Sequence, residues 1–291
     1  MDSGILNVAK PTGFSSFGVV RSLGRLPGIV KIGHGGTLDP AADGVLPVLV
    51  NAATRLADFV HGWPKTYVAS AAFGYTSDTY DREGTITPSA NPGQVTAAGI
   101  EAQLAGFTGT IAQVPPMFSA LKQGGEALYR KARRGENVPR APRAVEVHRI
   151  QLLDYDPDTG TARLEIVCGQ GTYIRSLVHD LGERLGTGAY LGGLRRTAYG
   201  PLQWDDAHTP AELLEAEGDW ARWLLPMELP LKDWPGLRLN RDDAEAVAHG
   251  RTVMAPEGGS GRYRLVDEAG RLLGWGVAEA GRVQPKAVFA P

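Results

Sequence analysis

Gly33-His34-Gly35-Gly36-Thr37-Leu38-Asp39-Pro40-Ala41-Ala42-Asp43-Gly44 is the stretch from which the chain is best read. It separates two apolar runs, Ile29 to Ile32 and Val45 to Val50. Three glycines in four positions permit positive φ and close approach of another backbone. Pro40 pushes Asp39 out of the α region. The expectation is an acidic side chain presented from a rigid loop between two buried elements, which is where reactive groups usually sit. Taken alone, the segment reads more simply as a glycine-rich turn in which Asp39 hydrogen-bonds its own backbone.

The 291 residues suffice for one large domain and a small one. An apolar fraction of 43% with 21% charged residues is the balance of an ordinary soluble protein. The single cysteine, Cys168, excludes an internal disulfide framework and fits a reducing compartment. The six histidines are scattered, without zinc-ligand spacing. Met1-Asp2-Ser3-Gly4 opens without a basic region ahead of an apolar core, so no signal peptide is expected. Apolar runs are short and interrupted, as by Pro47, so no membrane span is expected. The net charge of −2 hides an asymmetry. Between Lys122 and Arg149, eight basic residues (Lys122, Arg130, Lys131, Arg133, Arg134, Arg140, Arg143, Arg149) face three acidic ones (Glu126, Glu136, Glu146). Such a patch can direct a polyanion to one place, and it is equally what a solvated helix looks like.

Along the chain, Gly4 to Ala9 reads as a strand. Ser15 or Ser16 caps a helix to about Leu26, with Phe17, Val20 and Leu23 on one side. Asn51 can cap a second helix. Lys65 to Phe73 reads as a strand with Tyr67, Ala69, Ala71 and Phe73 on one face. Gly74 to Gly84, with Asp78 and Asp81, reads as a loop, and Thr96 caps a helix to about Ala105. Gln113 to Ala120, holding Pro115-Pro116, is extended or turning, and Glu126 to Arg134 reads as a short basic helix. Ala144 to Tyr155 and Thr161 to Cys168 form a strand pair across the turn Asp156 to Gly160. Thr172 caps an amphipathic helix ending at Gly186. Thr209-Pro210-Ala211-Glu212 is a capping box with proline at the first helical position. Six acidic residues between Asp205 and Asp219, with no lysine or arginine, should turn away from a phosphate backbone. Trp234-Pro235-Gly236 looks like a linker. Beyond it, Asn240 caps a helix to His249-Gly250, and two or three strands complete a small, mostly β unit.

Two further segments can carry chemistry. Gly171-Thr172-Tyr173-Ile174-Arg175 ends a strand and opens a helix, which suits an anionic group. Its arginine is a bidentate partner for a carboxylate such as Asp39, or simply a member of a surface ion pair. In Lys65-Thr66-Tyr67 the tyrosine can stack on a planar ligand, which is worth about 1–3 kcal/mol for a base, or can be plain packing.

In this order, the segments closely resemble the TruB family of tRNA pseudouridine synthases. Gly33 to Pro40 is similar to the signature loop of that family. Leu6-Asn7-Val8-Ala9-Lys10-Pro11-Thr12-Gly13-Phe14-Ser15-Ser16 is similar to its opening. Lys65-Thr66-Tyr67 and Gly74 to Gly84 resemble its next block, and Val114 to Lys122 the start of its RNA-gripping insertion. Gly171 to Leu177 and Leu194-Arg195-Arg196-Thr197 complete the set. The resemblance covers roughly residues 4 to 200. The tail is loosely similar to the small RNA-binding domain of the PUA type.

The resemblance implies an α+β pseudouridine synthase fold with a mixed, largely antiparallel central sheet. A catalytic domain over 1–232, with a basic insertion at about 108–149, would precede a PUA-like domain over 237–291. It implies isomerisation of the T-loop uridine of tRNA, uridine-55, without metal or cofactor. Asp39 matches the nucleophile, Tyr67 the tyrosine that stacks on the base and assists loss of the C5 proton, and Arg175 the arginine that pairs with the aspartate. Attack at the sugar with glycal formation is the usual account for that family, and attack on the base the older one. His34 matches the histidine packed against the flipped loop, and Tyr173 and Leu194 match residues of the uridine pocket. Lys122, Arg130, Lys131, Arg133 and Arg134 would meet RNA phosphates. The partner would be tRNA through its T arm. The protein would be a cytoplasmic monomer needing no membrane and no protein partner. A noncatalytic tRNA-binding or folding protein on the same scaffold is the alternative, against which the joint retention of Asp39, Tyr67 and Arg175 speaks. A guide-RNA-dependent relative is disfavoured by the short chain without a lysine-rich tail. Three departures bear on affinity: Gly35 and Asp43 stand where threonine is common, and Gln170 where lysine is common.

Overall fold

The alternation of the Lys65–Phe73 strand places Tyr67, Ala69, Ala71 and Phe73 in one core, against Ile174, Leu177, Val178 and Leu181 of the helix Ile174–Leu185. The computed structural model describes residues 2–119, 121–136 and 138–289. The side chains of Lys122, Ala127 and Arg133 lie outside that description. Among the described residues the strand belongs to a ten-stranded sheet. The order along its main path is Leu225–Pro226, Gly4–Lys10, Asp43–Val50, Ala189–Tyr199, Lys65–Phe73, Thr161–Cys168, Arg143–Asp156 and Gly109–Gln113. Along that path neighbours are antiparallel except at one junction, where Ala189–Tyr199 runs parallel to Asp43–Val50. The fold is therefore α+β with a mixed, largely antiparallel sheet.

The parallel junction decides where the site lies. It pairs Arg195 with Asp43 and Arg196 with Gly44, while on its other edge the same strand pairs Arg196 with Tyr67 and Leu194 with Ala69. Gly44 adopts φ 129°, and a Cβ there would lie 2.3 Å from the Arg196 carbonyl oxygen, so only glycine lets the strands meet. The loop bearing Asp39 enters the sheet at this point.

Asp43–Val50 is buried on both faces, which explains its nearly unbroken apolar run. Leu46, Val48 and Val50 pack with Val19, Val20 and Leu23 of the helix Ser16–Leu23, and Val45 and Leu49 pack with Val60, Tyr199 and Leu202. Among the described residues no helix is long and apolar enough to cross a membrane.

Several caps are where the sequence puts them. Ser15, Thr96 and Asn240 each accept from the backbone N–H three residues on, and Thr209 and Glu212 form the reciprocal capping box. Others are not. Phe17 points to solvent at 68% exposure instead of joining Val20 and Leu23. Asn51 caps nothing: it sits at φ 53° and its side chain accepts from Val30 and Lys31 N–H and donates to the Asp2 and Gly28 carbonyls, pinning the preceding loop. Thr172 turns its hydroxyl back to the Gly169 carbonyl at 3.4 Å, leaving Tyr173 as the residue before the helix. The segment after Gly74 is not all loop, since Tyr75–Ser77 pairs with Ile86–Pro88. In the basic segment, Lys122–Gln123 pairs with Glu126–Ala127 before the helix Leu128–Arg133.

A second, five-stranded sheet over residues 236–288 closes on its own core of Leu239, Val247, Val253, Tyr263, Leu265, Ala278 and Val283. This is the small C-terminal, PUA-like β unit. Trp234 is more than a linker residue. Its ring lies 5.1 Å from Phe59 and 5.5 Å from Trp275, with Phe59 and Trp275 5.2 Å apart, so an aromatic triad docks the second sheet on the helix Ala57–His61.

Candidate active site

The Asp39 loop is held by backbone bonds at both ends. Ile32–His34 pairs with Val48–Val50, and Gly35 N–H donates to the Pro47 carbonyl at 2.8 Å. None of Gly33, Gly35 and Gly36 uses positive φ; two of them supply room instead. A Cβ on Gly35 would lie 2.4 Å from Val60 Cγ1, and one on Gly36 2.6 Å from the Tyr199 hydroxyl. The departure at Gly35 is thus matched by Val60, which occupies the space a side chain would take. Leu38 is buried as a plug ahead of Asp39, and the Ser16 hydroxyl both donates to its carbonyl (3.0 Å) and accepts from its N–H (2.9 Å).

The Asp39 carbonyl closes a turn by accepting from Ala42 N–H at 3.1 Å, but its side chain is directed out of that turn. Its Oδ2 lies 2.9 Å from Arg175 Nη2, with the guanidinium buried and the carboxylate 42% exposed to the cavity. Arg175 is shared: Nη1 lies 3.3 Å from Asp81 Oδ2, and Nη2 donates to the Phe118 carbonyl at 3.0 Å. Asp81 is itself anchored, its Oδ1 accepting from the Thr79 hydroxyl at 2.6 Å and Glu83 N–H at 3.0 Å. Tyr80, at φ 65°, stacks on His179 with ring centroids 3.9 Å apart and so fixes the turn that delivers Asp81.

Tyr67 is buried on its strand, and burial pushes its hydroxyl above the usual tyrosine range, partly countered by Arg196. Arg196 is wholly buried 6.0 Å from that ring and donates to the carbonyls of Val45 (2.7 Å), Gly36 (3.1 Å) and Thr37 (3.3 Å). It holds the loop and the tyrosine together. Burial, then Arg196 and His61, keep His34 below the ordinary histidine range, so its ring is neutral at pH 7. Burial raises the half-buried Tyr173 hydroxyl, and the Tyr173 backbone is locked by both ends of the Gln113 amide. Two lysines beside the site are buried as well. Lys10 donates to the Pro11 and Phe14 carbonyls, Lys65 to the His61 carbonyl, and loss of solvent lowers each to about 8.

One cavity of about 1180 Å³ is lined by Asp39, Tyr67, Arg175, His34, Tyr173 and Leu194, together with Gln170. It exceeds the roughly 300–1,000 Å³ of a typical small-molecule pocket. Phe118, Ser119 and Tyr129 wall it from the side of the basic segment. In that segment Arg134 is already engaged, with both Nη atoms on Glu126 (2.6 and 2.9 Å) and Nε on Glu136 (2.7 Å). Arg130 lies against the Tyr129 hydroxyl at 3.4 Å, and Lys131 is half-buried. The side chains of Lys122 and Arg133 are outside the described residues. The charge of Asp43 does not stand alone beside the loop: Arg195 meets it at 2.6 Å and covers the Trp204 ring at 4.6 Å.

Asp81 and Arg196 are the two residues whose part in the site the local sequence did not signal. Each lay inside a segment similar to a family block, and that was their only mark.

Family models span most of the chain. Residues 25–174 match the TruB family pseudouridylate synthase (N terminal domain), 175–232 the tRNA pseudouridylate synthase B C-terminal domain, and 235–289 the pseudouridine synthase II TruB, C-terminal. A tRNA pseudouridine synthase B of Pseudomonas syringae pv. syringae (strain B728a) is 42% identical over 294 residues, covering 99% of this chain and 95% of the relative. That of Symbiobacterium thermophilum is 44% identical over 248 residues, covering 85% and 82%. Among solved structures, the Cbf5 chain of a Cbf5-Nop10-Gar1 complex aligns with TM-score 0.75 and 27% identity, covering 99% of this chain and 85% of that one. With this coverage by family models and relatives, the chain belongs to the TruB family of pseudouridylate synthases.

Proposed function

We propose that the protein converts the T-loop uridine of tRNA, uridine-55, to pseudouridine, with Asp39 as nucleophile and no cofactor. The observation that carries this reading is the 2.9 Å pair of Asp39 with Arg175 on the wall of a cavity that also holds Tyr67. The isomerisation breaks the N1–C1′ bond, forms a C5–C1′ bond, and moves one proton from C5 to N1. Nothing else is gained or lost. Asp39 Oδ attacks the flipped nucleotide and its bond to it breaks again when C5 is joined. Arg175, anchored by Asp81, holds the carboxylate in line for that attack. Tyr67 stacks on the freed uracil and assists removal of the C5 proton.

The base must leave its stack to reach Asp39, at a cost of a few kcal/mol that the cavity contacts offset. His34, Tyr173 and Leu194 supply those contacts, and the basic segment grips phosphates. The reading as a stand-alone enzyme is supported by relatives named tRNA pseudouridine synthase B at about 40% identity, against 27% for the Cbf5 chain. The proposed division into a catalytic part over 1–232 and an RNA-binding part over 237–291 is supported by the separate core of the second sheet. The test is incubation of wild type and Asp39→Asn with unmodified tRNA, followed by mapping of pseudouridine. Wild type should modify one T-loop uridine and Asp39→Asn none, with RNA binding kept. Equal conversion by the variant would remove Asp39 from its role.

A further inference from the structure

The turn joining the first strand to the first helix is fastened to the Asp39 loop, yet it presents two phenylalanines to solvent. The Lys10 ammonium donates to the carbonyls of Pro11 (2.9 Å) and Phe14 (2.6 Å). Gly13 N–H donates to the Pro40 carbonyl at 2.8 Å. The Ser16 hydroxyl bridges both backbone groups of Leu38. Residues 10–17 are thus fixed against residues 38–40 on either side of Asp39, and the backbone that bears the two rings is set relative to that loop.

The helix Ser16–Leu23 fills its buried stripe with Val19, Val20 and Leu23 and leaves Phe17 out at 68% exposure. Phe14 is 58% exposed. Among the described residues neither ring meets another aromatic side chain. Phe17 lines the same cavity as Asp39. Two exposed phenylalanines on a rigid turn gain nothing for folding by facing water.

We propose that Phe17 is a stacking platform for the unpaired base of the substrate RNA next to the one that enters the cavity, with Phe14 extending the apolar surface. The inference rests on the reading of the cavity as a uridine site. A nucleotide that leaves its stack exposes a face of its neighbour, and an aromatic ring at the rim replaces the lost contact. The size of the patch favours this occupant over a protein. Two rings set among Thr12, Gly13 and Ser15 match one or two bases and fall far short of the roughly 800 Å² per partner of a stable protein interface.

The test compares full-length wild type with Phe17→Ala, Phe17→Leu and Phe17→Trp on a T-arm stem-loop RNA, by Kd and single-turnover kinetics. The same RNA with an abasic site beside the target uridine completes the cycle. All three variants should unfold at the wild-type urea concentration, because the side chain is exposed. Phe17→Ala and Phe17→Leu should raise Kd and KM by about 5- to 150-fold, more than they lower the rate at saturating RNA, and Phe17→Trp should restore binding. The abasic RNA should weaken wild type by the same factor and add nothing to Phe17→Ala. Wild-type Kd in Phe17→Ala, restoration by leucine equal to that by tryptophan, or additive abasic and Phe17→Ala effects would each overturn the platform while leaving the activity standing. So would a dimer lost in Phe17→Ala with RNA affinity unchanged. A wild type that binds the RNA but never converts the uridine would sink the activity instead, and the Kd comparison would still decide the platform.

Discussion

Asp81→Asn tests whether the Asp39 carboxylate is aimed by a three-member network or by one ion pair. Arg175 is 7% exposed and bears two carboxylates, Asp39 at 2.9 Å and Asp81 at 3.3 Å, the second only 10% exposed. At an effective dielectric of about 20, a unit pair 3.3 Å apart interacts by roughly 5 kcal/mol before desolvation is counted. Removing one partner of a buried pair costs about 3–5 kcal/mol net. Here Asp39 and the Phe118 carbonyl remain on the guanidinium, so a loss of about 2–3 kcal/mol of folding stability is expected. The asparagine oxygen can still accept from Thr79 and Glu83, but its amide then faces a guanidinium, donor against donor. Arg175 should shift toward Asp39, its remaining carboxylate, and carry it off line. A misalignment of this size should lower the single-turnover rate by about 10- to 100-fold, while Kd for tRNA changes less than threefold or so. Urea unfolding, single-turnover pseudouridylation and filter binding read the three quantities. Asp154→Asn, which breaks an ion pair with Arg163 that is half exposed on both sides, is the comparator and should cost at most about 1 kcal/mol with no change in rate. If Asp81→Asn matches that comparator in both stability and rate, Arg175 does not depend on Asp81, and the network is wrong.

Arg196→Lys keeps the charge and three donors, but puts them on one nitrogen that cannot span the carbonyls now reached separately by Nε, Nη1 and Nη2, so it should cost about 2–4 kcal/mol in urea unfolding and lower turnover; wild-type values for both would show that the loop needs no guanidinium. Because burial lowers Lys10 and Lys65 to about 8, the unfolded chain holds two protons above that pH that the folded chain releases. Stability should therefore rise between pH 8 and 9 by up to about 1.4 kcal/mol per pH unit per lysine, before Cys168, raised to about 11 by burial, begins to oppose it above its usual 9. Lys10→Met should halve that slope in urea titrations, and a flat wild-type profile would mean that both ammonium groups remain hydrated.

What could be read in advance was local. Lys65–Phe73 follows from a strict alternation, and the Thr209 capping box and the Asn240 cap follow from hydrogen bonds that close within three residues. Three of the misses share one cause, a partner distant in the chain. Asn51 has the composition of a cap, but its amide is claimed by Asp2 and by residues 28–31. Phe17 has the spacing of a core residue, but Leu213 and Trp220, nearly two hundred residues on, close that core without it. Trp234 beside Pro235 reads as a break until Phe59 is set against it.

The site shows the same division more sharply. The glycines, Leu38 and Pro40 mark which loop is unusual, but no property of that loop fixes where Asp39 points. Its direction is set by donors that arrive from elsewhere: Ser16 on Leu38, Arg175 on Asp39, and Arg196 on Gly36 and Thr37, about 160 residues away in the chain. Arg196 reaches those carbonyls because its strand runs parallel to Asp43–Val50 and antiparallel to Lys65–Phe73, a register that no nearest-neighbour pattern encodes. On the proposed function, a carboxylate that has to meet a reacting carbon is better held by buried charges on packed elements than by its own turn. The fold places a guanidinium on each side of the loop, and the direction of the Asp39 side chain becomes legible only once the sheet is assembled.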